Sequence, residues 1–331
     1  MNPLITITHK ATKLDNAYNI LTAPTHERYE TELCKTGHYF CAFQHDNFKD
    51  WNEIYAPIPK NYDLMPKNSV YRHINFDFVL SQNKFGQFQI LGNAARALHL
   101  PVLSLEHTLP IPQWNAQMRK DLKNMRGSVN VFISEYSCKE WGFDLNDEDT
   151  FVVHHSVDSD VFVGQQQERK VQILSVVNDW INRDHCCGFG IWDRIQKGLP
   201  TRVVGNTPGL SKPAASINEL VDEYSSSAIF LNTSTVSPIP CALLEAMSCG
   251  CACVSTANCM IPEIIEHGVN GLISNDEKEL RGFCEDLLKN EALRYELGRN
   301  ARKTIVERFH PTQFVKKWNS LFDIMSERCF K

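Results

Sequence analysis

The sequence lacks the long apolar runs and the strong charge of one sign that mark several large protein classes. No apolar run approaches the ~18 residues needed to cross a bilayer, which argues against a transmembrane protein. The net charge is only −5 over 331 residues, so no general attraction to nucleic acid or acidic membranes is expected. Internal repeats and low-complexity segments are absent as well. The length then predicts a globular protein with two domains of roughly 150 residues each.

The twelve cysteines include no C-x-x-C pair, although such spacing is typical of zinc and redox sites. Cys249, Cys251 and Cys253 alternate along a helix end and a strand, which predicts that they point the same way into a buried sheet. We therefore expect small apolar core residues in a reducing compartment, with metal binding as the weaker alternative. The first residues, MNPLITITHKATK, lack the apolar core of a signal peptide. The expected location is the cytoplasm.

Strand and helix patterns alternate along the chain, which predicts an α/β protein with parallel sheets and right-handed crossovers. Thr25 is the predicted cap of the first helix, and Gly37 closes it. The predicted strands cover 19–22, 39–43, 76–80, 102–105, 131–134, 171–177, 201–204, 228–231 and 252–255. The predicted helices cover 25–35, 88–98, 217–225, 276–289, 291–308 and 314–325.

The most informative stretch runs from Ala228 to Ile273, with the sequence AIFLNTSTVSPIPCALLEAMSCGCACVSTANCMIPEIIEHGVNGLI. It predicts a strand, a polar loop with two prolines, a short helix containing Glu245, a second strand and a further helix opened by Pro262. This order puts a helix N-terminus at the carboxyl end of a parallel strand. Ligands bind at that edge in open α/β sheets, and the partial positive charge of the helix end favours phosphates.

This stretch resembles the donor-binding signature of retaining GT-B glycosyltransferases related to glycogen synthase, in which E-A-M…G precedes a strand and P-E-I-I…G-x-x-G. Two earlier segments are similar to other parts of that family. LCKTGHYFCAF resembles the L-x-x-x-G-H-x-V-x-V pattern near the start of the first lobe, and VVHHSVDSDVF (152–162) resembles the joint between the lobes. The resemblance covers about 171 to 310 strongly and the first lobe only in outline.

The resemblance implies a GT-B fold, with two Rossmann-like lobes whose parallel sheets face each other across a cleft. The first lobe would comprise residues 1–160 and the nucleotide-sugar lobe residues 161–311, joined by a polar linker at 164–170. A terminal helix within 312–331 would pack back on the first lobe. The implied activity is transfer of a sugar from a nucleoside diphosphate sugar to an acceptor hydroxyl, with retention and without a metal or other cofactor.

The residues that the resemblance assigns to catalysis are His107, Arg183 and Glu245. Glu245 would accept the ribose hydroxyls, for which a carboxylate is suited, although a first-turn glutamate also stabilises a helix dipole. Arg183 would bind the diphosphate, being the only Arg or Lys between Lys170 and Arg194. The alternative is an exposed loop arginine paired with Asp184.

The rest of the implied donor site comes from loops that follow strands. Ser237 stands where the family carries the first glutamate of an E-x7-E pair. In the family this glutamate contacts the transferred sugar, so this chain departs from the family at that contact. Gly205 and Asn206 would contact the base, or form an ordinary turn. Glu263 would approach the donor, or cap its helix. Pro240 is the predicted first helical residue, and the backbone that would cradle the distal phosphate belongs to Ile239, Pro240, Cys241 and Ala242.

The acceptor side is implied for the first lobe, where His107 ends a strand and would face the sugar and acceptor, or serve as a structural histidine. Thr25, His26 and Arg28 follow the first strand and would line the same side. Asp158 and Asp160 match D-x-D, but their place in the joint favours a turn over a metal site.

Two other functions stay open: a GT-B nucleotide-sugar 2-epimerase or hydrolase, and a silent sugar-nucleotide-binding module. The expected partners are a nucleotide sugar donor and an unresolved acceptor. That acceptor is a glycan, a lipid-linked sugar, a protein or a modified nucleic-acid base.

Overall fold

Apolar runs form the strands of the first sheet, as the alternating pattern predicts. The computed structural model describes residues 17–53, 55–111, 113–164, 168–237 and 239–329. Seven strands pair in parallel in the order β3-β2-β1-β4-β5-β6-β7. Three of them, β2, β4 and β6, are buried along their whole length, as in a parallel sheet covered on both faces. The strands are β1 Asn19–Thr22, β2 Tyr39–Ala42, β3 Tyr62–Leu64, β4 Phe78–Ser81, β5 Val102–Glu106, β6 Val129–Phe132 and β7 Thr150–Val152.

The first helix begins later than predicted. Helix α1 covers Glu27–Cys34 and is capped by His26, whose side chain accepts from the Tyr29 N–H. Thr25, the predicted cap, is engaged elsewhere: its hydroxyl donates to the Ala23 carbonyl and accepts from Gln87. The other helices of this unit are α2 Gln89–Leu98 (preceded by the irregular turn Lys84–Phe88), α3 Ala116–Lys123, α4 Glu135–Glu140 and the terminal helix described below.

Five strands form the second sheet, also in parallel, in the order β12-β11-β10-β8-β9. They are β8 Lys170–Val176, β9 Thr201–Val204, β10 Ser227–Asn232, β11 Ala252–Ser255 and β12 Leu272–Ile273. Its helices are α5 Asp184–Cys187, α6 Phe189–Ile195, α7 Ile217–Ser226, α8 Cys241–Ser248, α9 Ile261–Ile264, α10 Glu277–Lys289 and α11 Glu291–Arg308.

The alternating cysteines lie in the core of this second sheet. Cys249, Cys251 and Cys253 are fully buried, and burial raises the pKa of Cys251 to about 11. The Cys251 Sγ lies 3.2 Å from the Tyr224 carbonyl and 3.7 Å from Arg169 Nη1. These thiols are core residues, as predicted.

Contacts divide the chain into two units: one up to Ser156 plus the residues from Thr312, the other Val157–Pro311. The last helix, α12 Pro311–Cys329, belongs almost entirely to the first unit. There the buried Trp318 donates from Nε1 to the Tyr29 hydroxyl over 3.1 Å. Pro311 opens this helix, because proline suits a first turn that needs no N–H partner. Residues 1–16, 165–167 of the expected linker, and 330–331 lie outside the described residues.

Candidate functional site

Four neighbouring strands of the second sheet end in the loops that carry the expected donor residues. In the order β11, β10, β8, β9, these loops precede or contain Glu263, Glu245, Arg183 and Asn206. Because the strands are parallel and adjacent, their carboxyl ends lie at one edge of the sheet, where α/β proteins bind ligands. Contacts join the loops: the Thr235 N–H donates to the Cys186 carbonyl over 3.0 Å. The sheet order brings the expected donor loops to one edge.

Glu245 is held inside α8 with its carboxylate buried. The Tyr224 hydroxyl donates to Glu245 Oε2 over 2.9 Å. This contact explains how a buried carboxylate is tolerated, because a buried polar group needs hydrogen-bond partners. Glu245 is only 6% exposed, so a ligand can contact its carboxylate only by inserting between the loops at the edge of the sheet.

The loop before α8 differs slightly from the prediction. Pro240 is extended (ψ 100°) and precedes the helix as its N-cap, whereas the sequence predicts it as the first helical residue. Its carbonyl accepts from the Leu243 N–H over 2.9 Å. Ile239 and Pro240 are buried, and Ser237, Cys241 and Ala242 are half-buried. The first turn of any α-helix carries N–H groups without intrahelical partners, which suits an anion.

Gly205 approaches the backbone of the neighbouring strand. Its φ is +133°, and an added Cβ would lie 2.0 Å from the Val177 carbonyl oxygen. The next residue continues this contact, because the Asn206 N–H donates to Asn178 Oδ1 over 2.8 Å and the Asp179 N–H donates to the Asn206 carbonyl over 2.7 Å. The close approach that requires glycine is therefore made to the residues that directly follow strand β8.

Arg183 lies at the N-cap of α5 in the loop after β8. It is exposed, and its Nη1 donates to the Asn178 carbonyl over 3.4 Å. Asp184, the partner expected in the alternative interpretation, accepts from the Gly190 N–H over 2.7 Å. In α9, Glu263 is half-buried and its carbonyl accepts from Arg308.

Polar residues under the donor loops were missed by the sequence analysis. Asn232, at the end of β10, donates to Ser255 Oγ over 2.8 Å, and Ser234 donates to Asn232 Oδ1 over 2.8 Å. These side chains are buried and tie the loops after β10 and β11 together. A usable signal was present, because each polar residue ends or follows an apolar strand.

In the first unit, a cluster of aromatic and imidazole rings lies after β1 and β5. His107 contacts His26 (centroids 6.1 Å apart), His155 (5.5 Å) and Tyr29 (4.5 Å). The structure therefore brings together His26 and His107 of the expected acceptor side. Thr25 adjoins them, with its N–H donating to Glu30 Oε2 over 2.9 Å.

Arg28 differs from its neighbours, because it is exposed in the first turn of α1. His155 and Tyr29 were not singled out from the sequence. They join the cluster through packing between segments far apart in the chain.

His107 has a defined tautomer. Its Nε2 lies 3.2 Å from Gln82 Oε1, and Gln82 Nε2 donates to Glu30 Oε1 over 2.8 Å. Since the amide nitrogen faces the carboxylate, the amide oxygen accepts the proton of His107 Nε2. The buried Nδ1 then carries a lone pair, with no hydrogen-bond partner among the residues described. Burial, and to a lesser degree the neighbouring His26, lower the pKa of His107 to about 3. His107 can thus accept a hydrogen bond at Nδ1, but it is not a cation near neutral pH.

This neutral histidine makes stability depend on pH. The unfolded chain protonates His107 below about pH 6.5, whereas the folded chain does so only near the lowered pKa. The contribution of the neutral His107 to stability is therefore complete above pH ~6.5. It is lost as the pH falls from there to the lowered pKa of the folded state. The unfolding free energy of the wild type minus that of His107→Gln is expected to fall by about 1 kcal/mol for each unit that the pH is lowered between about pH 6 and pH 4. Denaturant titrations at each pH measure it, and parallel curves for the two chains would contradict the burial of a neutral imidazole.

Two further observations concern ions and membranes. Among the described residues between 17 and 329, no group of three or more His, Cys, Asp or Glu side chains is able to hold a metal ion. The Asp158 carboxylate accepts from the Asp160 N–H over 3.1 Å, so the D-x-D segment forms a turn. Among the helices of the described part, none is long and apolar enough to cross a membrane.

Part of the chain is similar to a known protein family. A family model described as "Glycosyl transferases group 1" matches residues 214–304. N-acetyl-alpha-D-glucosaminyl L-malate synthase of Bacillus anthracis is 34% identical over 82 residues, a segment that spans 24% of this chain and 22% of that protein. The chain thus matches only about a fifth of the length of that relative.

Solved structures extend the likeness to both units. HepE of Anabaena in complex with UDP has a TM-score of 0.74 at 15% identity, over 92% of this chain and 99% of that one. Sucrose-phosphate synthase of Thermosynechococcus elongatus has a TM-score of 0.74 at 12% identity, over 93% and 99%. With the two parallel sheets, these matches show a GT-B fold with two Rossmann-like lobes, and residues 214–304 are similar to the group 1 glycosyl transferases.

Proposed function

We propose that this protein is a glycosyltransferase that moves a sugar from a nucleoside diphosphate sugar to an acceptor hydroxyl. The observation that carries the proposal is the convergence of four donor loops, including the N-terminus of α8 and Glu245, at one edge of the second sheet. Support comes from the fold relative HepE, which is described in complex with UDP and with UDP-glucose. The proposed donor is accordingly a nucleoside diphosphate sugar, and uridine diphosphate is the first nucleotide to test.

In this proposal Glu245 accepts the ribose hydroxyls, and Glu263 lies near the donor. The N–H groups of Ile239, Cys241 and Ala242 face the distal phosphate. Ser237 replaces a carboxylate of the family, so a hydroxyl rather than an anion would contact the transferred sugar. Asn206 contacts the base, while Gly205 shapes its loop.

The chemistry follows from the leaving group. Breaking the sugar–phosphate bond develops negative charge on the diphosphate, and a helix N-terminus with an arginine can neutralise it. The departing phosphate oxygen takes the acceptor proton on the same face, which gives retention and needs no side-chain nucleophile. His107, neutral and with Nδ1 as an acceptor, is assigned to a hydroxyl on the acceptor side together with Thr25, His26 and Arg28.

Arg183 is the cation proposed to stabilise the leaving diphosphate. Arg183→Ala is expected to lower kcat/KM for the donor at least about tenfold, since a charge-assisted hydrogen bond contributes roughly 1.5–3 kcal/mol. Arg194→Ala is the matched control, because Arg194 is an exposed arginine of the next helix that pairs with Glu277. Equal turnover by wild type and Arg183→Ala at low donor concentration would contradict the role.

Metal independence is part of the same proposal. The protein treated with EDTA is expected to keep its kcat/KM, because the proposed neutralising groups are protein dipoles and Arg183. Turnover is measured before and after chelation and again with added Mg²⁺ or Mn²⁺. A loss of more than about tenfold that Mn²⁺ restores would overturn this part of the mechanism.

The alternative of a silent binding module has one specific observation behind it, the serine at position 237. It predicts donor binding without release of nucleoside diphosphate in the presence of any acceptor. The epimerase or hydrolase alternative predicts donor turnover with no acceptor at all. Assaying both nucleotide release and the conversion of the donor sugar, with and without a panel of acceptor sugars, separates the three functions.

A further inference from the structure

Two consecutive cysteines, Cys186 and Cys187, form a pair of touching thiols in the short helix α5. Their Sγ atoms lie 3.6 Å apart, which is van der Waals contact between two sulfurs. Cys187 is buried in the core of the second unit, whereas Cys186 is half-buried and packs at the margin of that core. The pair therefore combines a thiol that a reagent can reach with a second thiol close enough to react with it.

The cysteines that a reagent can reach are concentrated in one region of the part of the chain that the structure describes. Most of the described cysteines are buried, and the half-buried ones are Cys186, Cys241 and Cys259. These three residues follow β8, β10 and β11, at the carboxyl edge of the second sheet. Of the three, Cys186 is the one with a cysteine next to it in the chain.

The backbone of the thiol pair connects two of the donor loops. The Cys186 carbonyl accepts from the Thr235 N–H over 3.0 Å and from the Val236 N–H over 3.2 Å, both in the loop after β10. The Cys187 carbonyl accepts from Nε1 of the buried Trp180 over 2.9 Å. A change in the conformation of α5 therefore alters the hydrogen bonds of the loop that leads into α8.

A disulfide between the two thiols does not fit the helical turn of α5. Consecutive Cα atoms are about 3.8 Å apart, whereas disulfides usually join Cα atoms about 4.4–6.8 Å apart. The turn is held by the Cys187 N–H, which donates to the Arg183 carbonyl over 2.8 Å, and by the Gly188 N–H, which donates to the Asp184 carbonyl over 2.8 Å. Joining the sulfurs requires these bonds to break and α5 to unwind.

We propose that Cys186 and Cys187 form a reversible redox modification site, which small-molecule disulfides of the glutathione class oxidise to a disulfide. The Cys186 thiolate attacks one sulfur of the small disulfide, and a glutathione thiolate leaves with the electron pair of the broken S–S bond. The Cys187 sulfur then attacks Cys186 Sγ, loses its proton to solvent and displaces the second glutathione thiolate. Two protein thiols and one glutathione disulfide thus give one protein disulfide and two glutathione thiols.

The surroundings of the two sulfurs set the order of these steps and make them reversible. Burial raises the pKa of Cys187 to about 12, so the half-buried Cys186 reacts first. A disulfide that distorts its backbone is easily reduced, so an excess of small thiols restores the pair. Such a bond is transient in a reducing compartment, as disulfides that sense redox state are.

The consequence for donor binding rests on the proposed glycosyltransferase function. Arg183, the cation proposed to bind the diphosphate, is the N-cap of α5 and moves when this turn unwinds. The loop before α8 loses its bonds to the Cys186 carbonyl at the same time. The disulfide form is therefore expected to bind the nucleotide at least about tenfold more weakly than the reduced form.

The test compares the full chain after treatment with dithiothreitol and after incubation with oxidised glutathione. Mass spectrometry of unreduced peptides should show the loss of two hydrogens from the peptide that contains Cys186 and Cys187. The oxidised chain should have a lower thermal unfolding midpoint, because the bonds of α5 are lost. Calorimetry with UDP, GDP and ADP should show the tenfold weakening for the nucleotide that the reduced chain binds, and dithiothreitol should restore the affinity.

Two variants separate this site from the other half-buried thiols. Cys186→Ser should bind the nucleotide as the reduced wild type does, and oxidised glutathione should no longer weaken that binding. Cys259→Ser is the matched control, because it removes another half-buried thiol at the same edge of the sheet. It should stay as sensitive to oxidised glutathione as the wild type. Circular dichroism establishes that both variants are folded.

Several results would overturn the proposal: no disulfide between the two cysteines, a glutathione adduct as the only product, or equal nucleotide binding by the oxidised and reduced chains. Equal sensitivity of Cys186→Ser and wild type would also reject it, because another thiol would then cause the effect. If the reduced chain binds none of the nucleotides, the proposed donor site fails. The disulfide and the lower unfolding midpoint would still support the redox site, and their absence would reject it.

Discussion

Replacing Glu245 by alanine is expected to lower kcat/KM for the nucleotide-sugar donor by about one to two orders of magnitude. The carboxylate would accept both hydrogens of the ribose diol, and hydrogen bonds to a charged group contribute roughly 1.5–3 kcal/mol. The loss should appear in donor affinity, because the ribose does not react and its contacts are the same in the ground and transition states.

Tyr224→Phe is the control for this substitution. It removes the hydroxyl that donates to Glu245 Oε2 but keeps the carboxylate and the ring. Donor binding by Tyr224→Phe should change much less than by Glu245→Ala. If the two variants lost affinity equally, the glutamate would serve chiefly as a core partner of Tyr224. Steady-state kinetics over a range of donor concentrations, with circular dichroism to establish folding, decides between the two.

The second large effect concerns the fold that carries the site. Gly205→Ala is expected to destabilise the second unit by more than about 3 kcal/mol. The substitution adds backbone strain of roughly 1–3 kcal/mol to the cost of moving atoms apart in a close-packed region. Its Cβ would lie 2.0 Å from the Val177 carbonyl oxygen. Because the affected backbone belongs to the loops that follow β8 and β9, donor binding should weaken together with stability.

Gly209→Ala separates steric clash from backbone strain in that experiment. Gly209 also has a positive φ, +81°, but nothing lies within 4 Å of its added Cβ. It should therefore destabilise the unit by only about 1 kcal/mol, from strain alone. Thermal unfolding of both variants gives the comparison. Equal unfolding midpoints would mean that the Val177 contact is not as tight as the structure has it.

The buried strands were the most predictable part of this molecule. The predicted strands 252–255 and 228–231 match the fully buried β11 and β10, the second within one residue at each end. The partly exposed β9 matches 201–204, and β8 matches 171–177 within one residue at each end. Strands covered on both faces are continuous apolar runs between turn residues, so their pattern is strong. The missed strands β3, β7 and β12 lie at sheet edges and have only two or three residues each, which is too short for a clear pattern.

In the candidate site, only residues with a clear position next to a predicted strand or helix could be predicted from the sequence. Glu245 and His107 could be singled out because each has a clear place relative to a predicted strand or helix. Tyr224 and Gln82, which hold these two side chains, could not. Tyr224 is 21 residues from Glu245, and Gln82 is 25 residues from His107. Such pairs are set by how separate segments pack, which no local pattern records.

The cap of the first helix illustrates the same limit. Thr25 is a good capping residue by type. Its hydroxyl is nevertheless taken by Gln87, 62 residues away, and His26 caps the helix instead. Competition between local and distant partners decided the helix start, and only the local partner is visible in the sequence.

Binding of nucleoside diphosphates tests the central claim most directly. Thermal unfolding of the full chain would be followed with UDP, GDP and ADP and with their glucose and N-acetylglucosamine esters, for wild type and Glu245→Ala. One base should raise the wild-type midpoint selectively, by an amount corresponding to about 2.7 kcal/mol at a hundred times Kd. The shift should shrink in Glu245→Ala. If no nucleotide changes the midpoint, or if the variant responds as the wild type does, the donor site is not where the second sheet's loops converge.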